Sequence, residues 1–291
     1  MPIQLSTPDE VGQFIESLAS SNLTSEAIDE KAQVLVSDAK KLAETQDPED
    51  TDPDGRKLDN YTYGVVSTLV GVIMETPPER QKNLVEFVLK LQQIECHDKN
   101  GRILETEGGN VWTDLPTFSW TIRDCYNFDF EHLLNDPDPL GALNKSEVQQ
   151  ARNLAAFLAQ TTQIEHNSKG GGLDYSLYAL WDLRFAFEER EIKKDTLNEK
   201  AFATATMLQA SEWMLGCPEV LRDLSRKGVD QPERCGVAGD QYISSIGREW
   251  RGFNEERWQL WKDGFQDAQS WVVGEGSQEK IKRVLEKIAN L

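Results

Sequence analysis

The feature that most constrains this chain is an apolar stripe in its last third. At the roughly 100° per residue of an α-helix, Trp250, Ile243, Ile246, Phe253, Trp258, Trp261, Phe265, Ala268 and Trp271 fall within an arc of about 140°. Glu249, Arg251, Glu255, Glu256, Lys262, Asp263 and Asp267 lie largely outside that arc. The spacing predicts one long helix, bent at Gly247, Gly252 or Gly264, that lays its indoles against the body of the protein. Large aromatics on such a stripe form core, a pocket wall or an oligomer face, and the sequence leaves the three open.

Helical spacing recurs upstream. Thr7-Pro8-Asp9-Glu10 reads as an N-cap, a first-turn proline and two acids that complement the helix dipole. Ile28, Ala32, Leu35, Ala39 and Leu42 share one face of a second helix over about 24–44. Tyr61 to Met74, apolar nearly all round, reads as a buried helix rather than a strand because the run is long. Thr76-Pro77-Pro78-Glu79 starts the next helix, with Leu84, Phe87, Val88, Leu91 and Ile94 on one face. Residues 96–110 form a polar, glycine-bearing loop that presents Trp112. A helix capped by Thr113 or Asp114, with Pro116 in its first turn, runs to about Asn127. Further helices follow Asn144-Lys145-Ser146-Glu147, cover 174–190, 196–215 and Pro218–Arg226, and close the chain with Ile281, Val284, Leu285 and Ile288 on one face. The expected fold class is all-α, a single irregular bundle of about nine to eleven helices.

Gln46 to Gly55 is acidic, proline-punctuated and without large apolar side chains. The domain reading is N-terminal helices over 1–44, an acidic linker or loop over 45–59 and a main helical domain over 60–291, or one compact domain throughout.

Thirty-one Lys and Arg against fifty Asp and Glu leave a formal charge of −19 in 291 residues. Such a charge repels phosphate backbones and anionic lipid, so neither nucleic acid nor a membrane is an expected partner. No apolar run approaches the ~20 residues of a membrane span, and Met1-Pro2-Ile3-Gln4 lacks the basic and apolar regions of an export signal. A cytoplasmic or nuclear location follows as the expectation. Cys96, Cys125, Cys217 and Cys235 form no Cys-x-x-Cys pair, and His97, His132 and His166 stand apart, so no metal or other cofactor is expected. Phosphate-binding glycine loops, zinc-protease and serine-hydrolase signatures are absent, as is an Asp-Asp-x-x-Asp run of the terpene-cyclase type.

Two clusters carry chemistry-bearing residues. Trp112, Asp114, Trp120, Arg123, Asp124, Tyr126 and Asn127 crowd aromatic, acidic, basic and amide groups into 16 residues. On one helix Trp112, Trp120 and Arg123 fall on neighbouring sides, where the arginine would face an aromatic cleft and hold a carboxylate or enolate oxygen. The plainer alternative is a buried Arg–Asp pair tying two helices together. The second cluster is Tyr175, Tyr178, Trp181, Arg184, Phe185 and Glu188, in which Arg184 and Glu188 are spaced to pair along the helix.

Gly108-Gly109-Asn110-Val111-Trp112-Thr113-Asp114-Leu115-Pro116, followed by Arg123-Asp124, and Tyr178-Ala-Leu-Trp181-Asp-Leu-Arg184-Phe-Ala-Phe-Glu188 resemble a family of filamentous-fungal proteins, the domain-of-unknown-function family numbered three-six-three-two. The resemblance spans roughly residues 60–270. It implies an all-helical intracellular fungal protein and supplies no catalytic residues; some members are similar to genes lying near secondary-metabolite clusters. Two functions are weighed. One is a small-molecule binder, or a cofactor-independent cyclase or isomerase acting on an aromatic or polyene ligand, with Arg123, Asp124 and Asp114 catalytic and Trp112, Trp120, Tyr126, Asn127, Trp181 and Arg184 binding. The other is a non-catalytic acidic interaction or regulatory protein, with the tryptophan stripe as a homodimer or partner face.

Overall fold

A computed structural model describes residues 8–20, 23–45, 57–168, 172–189, 193–232, 234–246 and 250–291. The fold is all-α, with one two-stranded sheet among the described residues, and the chain divides into two compact units, Met1–Asn127 and Phe128–Leu291. The residues expected to cap the first helix at Thr7, and 46–56 of the acidic run, lie outside the described residues.

In the N-terminal unit, α1 (Pro8–Ser20) and α2 (Ser25–Thr45) pack with α3 (Lys57–Glu75) and α4 (Lys82–Leu91). Each buries the apolar side its spacing marks: Ile15 and Leu18, Ile28 and Leu35, Leu69 and Ile73, Phe87 and Val88. Thr76 does not start α4. Its hydroxyl bonds back to the Val72 carbonyl, a 3₁₀ turn covers Pro78–Arg80, and α4 begins only at Lys82. The loop that follows α4 holds the strand pair β1 (Glu105–Thr106) and β2 (Gly109–Asn110), an antiparallel hairpin that loop composition alone does not reveal. Helix α5 (Phe118–Cys125) closes the unit.

The C-terminal unit is built round α9 (Leu197–Gly216), whose residues from Ala201 to Met214 are all buried. A capping box fixes its start, with the Thr196 hydroxyl and Glu199 carboxylate each accepting from the other's backbone N–H. Small side chains let neighbours approach: a Cβ on Gly216 would stand 2.6 Å from Cβ of Ala159 on α7 (Ser146–Ser168). Around α9 lie α8 (Ser176–Phe187), α10 (Pro218–Lys227), α13 (Ser277–Ile288) and the short α6 (Pro139–Ala142), which Asp138 caps.

The single long helix expected from the stripe is instead two, α11 (Asp240–Ile246) and α12 (Glu255–Ala268). Gly252 takes φ +131° with Val229 O so close that a Cβ there would overlap it, and Gly252 and Arg251 bridge to Asp230 and Val237. Asn254 then caps α12 in extended conformation, its side chain accepting from Arg257 N at 2.8 Å. From Trp250 onward the stripe is core: Trp250, Phe253, Trp258, Trp261, Phe265 and Ala268 are buried, while Trp271 and, upstream, Ile243 are partly open.

Candidate functional site

The motif 108–117 builds a tight, strained turn. Gly109 has φ +123°, and a Cβ there would meet the Asp114 carboxylate at 2.8 Å. That carboxylate accepts from Asn110 N at 2.8 Å, and the hairpin is tied to α3 by Glu107 N donating to Asp59. Trp112, Leu115 and Thr117 all adopt positive φ, which side-chain-bearing residues avoid at a cost of about 1–3 kcal/mol each. The turn therefore drives Trp112 into the core, edge-on to Tyr61 at 6.2 Å between ring centroids. Burial, and then Asp38 and Cys96, push the Tyr61 hydroxyl far above its ordinary pKa, so it stays neutral.

Helix α5 begins after Pro116, so Trp112 and Asp114 precede it instead of sharing its face. Trp120 is exposed, and Arg123 pairs at 3.0 Å with its exposed sequence neighbour Asp124. Tyr126 is half-buried and Asn127 exposed at the end of the unit. The cluster is thus contiguous in sequence but split between core and surface: Trp112 goes inward while Trp120, Arg123 and Asp124 face solvent. Trp181 and Arg184 belong to the other unit. There Trp181 Nε1 donates to Cys235 O at 2.9 Å and its ring meets Tyr178, while Arg184 lies 2.7 Å from Glu189.

Arg184 does not pair with Glu188, which goes instead to Arg257, 69 residues on. Both side chains are fully buried and engaged in a bidentate pair at 2.7 and 2.9 Å. Glu188 also accepts from Trp261 Nε1 and Gly239 N, and Arg257 gives its remaining N–H groups to the carbonyls of Gly236, Gly252 and Val237. All five guanidinium donors are used, so this is a clasp on the backbone at Gly236, Val237 and Gly252 with no donor left for chemistry. The other buried carboxylates also have partners, Asp38 being 3.3 Å from Lys41. Asp182 accepts from Gln209 and Trp213, and Glu212 is held by Arg152 and Lys280.

What the clasp leaves open is a groove of about 500 Å³ in the C-terminal unit. Its apolar walls are Phe187 at the end of α8, Ala203 and Met207 on α9, and Leu260 on α12. Gly264 matters to its shape because any Cβ there would strike the Phe187 ring at 2.3 Å, and that ring packs edge-on against Phe265. The polar rim is Lys193, Lys194, Asp263 and Asp267, with Trp271 at one end. Trp271 Nε1 donates to Asp267 at 2.8 Å, and Lys194 Nζ lies 3.2 Å from the same oxygen and 4.3 Å above the indole ring. Of these, sequence reasoning offered only Trp271 as a pocket wall, through the stripe, and placed Asp263 and Asp267 on the polar side of its helix. A second groove of about 620 Å³ runs past Leu140, Leu197 and Val273 without an aromatic wall.

The fold and grooves describe a helical protein with no cluster of three His, Cys, Asp or Glu side chains suited to a metal among the described residues, and no described helix long and apolar enough to cross a membrane. Residues 67–265, well over half the chain, match the family described as "Protein of unknown function (DUF3632)", and the chain belongs to that family. No curated protein and no solved structure matches it.

Proposed function

We propose that this protein binds an organic small molecule in the groove between α8, α9 and α12. The observation that carries the reading is the groove itself: its volume lies in the ~300–1,000 Å³ range of ligand sites, and an apolar and aromatic wall of Phe187, Met207 and Leu260 faces an equally extensive polar rim that can orient a ligand. The reading is of a binding protein because Arg123 and Asp124 pair with each other in solvent and the buried carboxylates Asp182, Glu188 and Glu212 are each held by partners and do not line the groove. A cyclase or isomerase would need a free acid or base beside the bound carbon skeleton, whereas the rim carboxylates Asp263 and Asp267 are held by Gln259 and by Trp271 and Lys194. A cytoplasmic location and a fungal secondary-metabolite ligand belong to the same proposal, on the family resemblance.

Native mass spectrometry of the protein from its own source, against an Ala186→Trp variant that fills the groove, tests this. The wild type should carry an adduct of a few hundred daltons that the variant lacks. An adduct retained by the folded variant, or a bare wild-type mass, overturns it.

A further inference from the structure

The rim of the groove already holds a cation. Lys194 adopts φ +61°, a left-handed backbone that a lysine rarely takes, and from there its ammonium sits between a carboxylate and an indole face. Trp271, just past the end of α12, donates to Asp267 and holds the carboxylate beside its indole. A carboxylate at hydrogen-bond distance and an indole face within about 6 Å are what recognise an organic ammonium. Asp263 lies one turn before Asp267 on the same rim, and the formal charge of −19 enriches cations round the chain. Lysine is a long, flexible side chain, and this one is partly exposed, so it can leave the seat without disturbing the core.

We propose that the groove takes an amphiphilic organic cation, an amine or quaternary ammonium carried on an aromatic or aliphatic body, and that Lys194 is its tethered competitor. The body lies against Phe187, Met207 and Leu260, and the head displaces Lys194 from Asp267 and Trp271. The inference rests on the groove being the binding site and adds the charge of the ligand and the device that holds the seat when the groove is free.

Calorimetric titration with three probes of one skeleton decides it: (4-phenylbutyl)trimethylammonium, neutral 5-phenylpentan-1-ol and anionic 5-phenylpentanoate. The ammonium should bind at least tenfold more tightly than the alcohol. Lys194→Met should tighten the ammonium several-fold, and Asp267→Asn should erase its advantage while the alcohol binds as before. Equal binding of ammonium and alcohol leaves the groove as a site and overturns the cationic ligand. Preference for the carboxylate, weakened by Lys194→Met, also overturns it and makes Lys194 a ligand-binding group. If none of the probes binds, both the groove reading and this inference fall.

Discussion

Glu188→Ala should be among the most damaging single substitutions in the C-terminal unit. It orphans two N–H groups of Arg257 together with Trp261 Nε1 and Gly239 N, all of which now bond to one carboxylate, and Arg257 itself has no exposure to solvent. Breaking a buried pair by removing one partner costs about 3–5 kcal/mol, and each buried neutral donor left unmatched adds about 1 kcal/mol or more. Because these losses are not additive, the expected destabilisation is about 5 kcal/mol, comparable to the whole stability of a marginal domain. Urea unfolding followed by tryptophan fluorescence suits the measurement, because Trp181, Trp213, Trp250, Trp258, Trp261 and Trp271 all lie in this unit. Adding Arg257→Met should not restore the loss, because it leaves the carbonyls of Gly236, Gly252 and Val237 unmatched alongside Trp261 Nε1 and Gly239 N. A loss below about 1 kcal/mol for Glu188→Ala would refute the clasp. The clasp also reaches the groove, because Gly239 N donates to the Glu188 carboxylate just before α11, and Tyr242 N to the Glu188 backbone carbonyl, beside the groove-lining Gln241.

Gly109→Ala should cost about 2 kcal/mol, because the residue combines positive φ with a carboxylate where the Cβ would go; wild-type denaturation behaviour would contradict the strained-turn account. Asp98 accepts from the backbone N–H groups of Arg102 and Asn100, and those bonds, the Arg102 one foremost, lower its pKa from 3.8 to about 2. A depressed carboxylate stabilises the fold above the ordinary value and loses that contribution as pH falls through about 2, so an NMR titration of Asp98 should show its midpoint there. A midpoint near 3.8 would show that the turn does not hold in solution.

The helices were legible because their information is local. Leu84, Phe87, Val88 and Leu91 mark the buried side of α4 by spacing alone, and Asn144-Lys145-Ser146-Glu147 marks the opening of α7. The break before α12 was hidden because Trp250 and Phe253, although outside any helix, keep the angular phase of the stripe and are buried with it. Gly252 followed by Asn254-Glu255-Glu256, a cap followed by two acids, was the available signal. Spacing assigned Glu188 to Arg184, whereas a fully buried carboxylate took the arginine that could meet both its oxygens. The groove was invisible for the same reason: Phe187, Lys194, Met207, Leu260 and Trp271 meet only through the packing of α8 and α12 about α9. Trp112, read as a pocket wall, became core because the positive-φ turn after Gly109 folds it inward.

The most direct test of the binding account is a crystal structure of the protein purified from its own source. The account predicts density for an organic molecule between Phe187, Leu260 and Trp271, with Lys194 displaced from Asp267. Density for such a molecule elsewhere on the protein, or an empty groove with Lys194 still over Trp271 in protein whose mass carries an adduct, would contradict it.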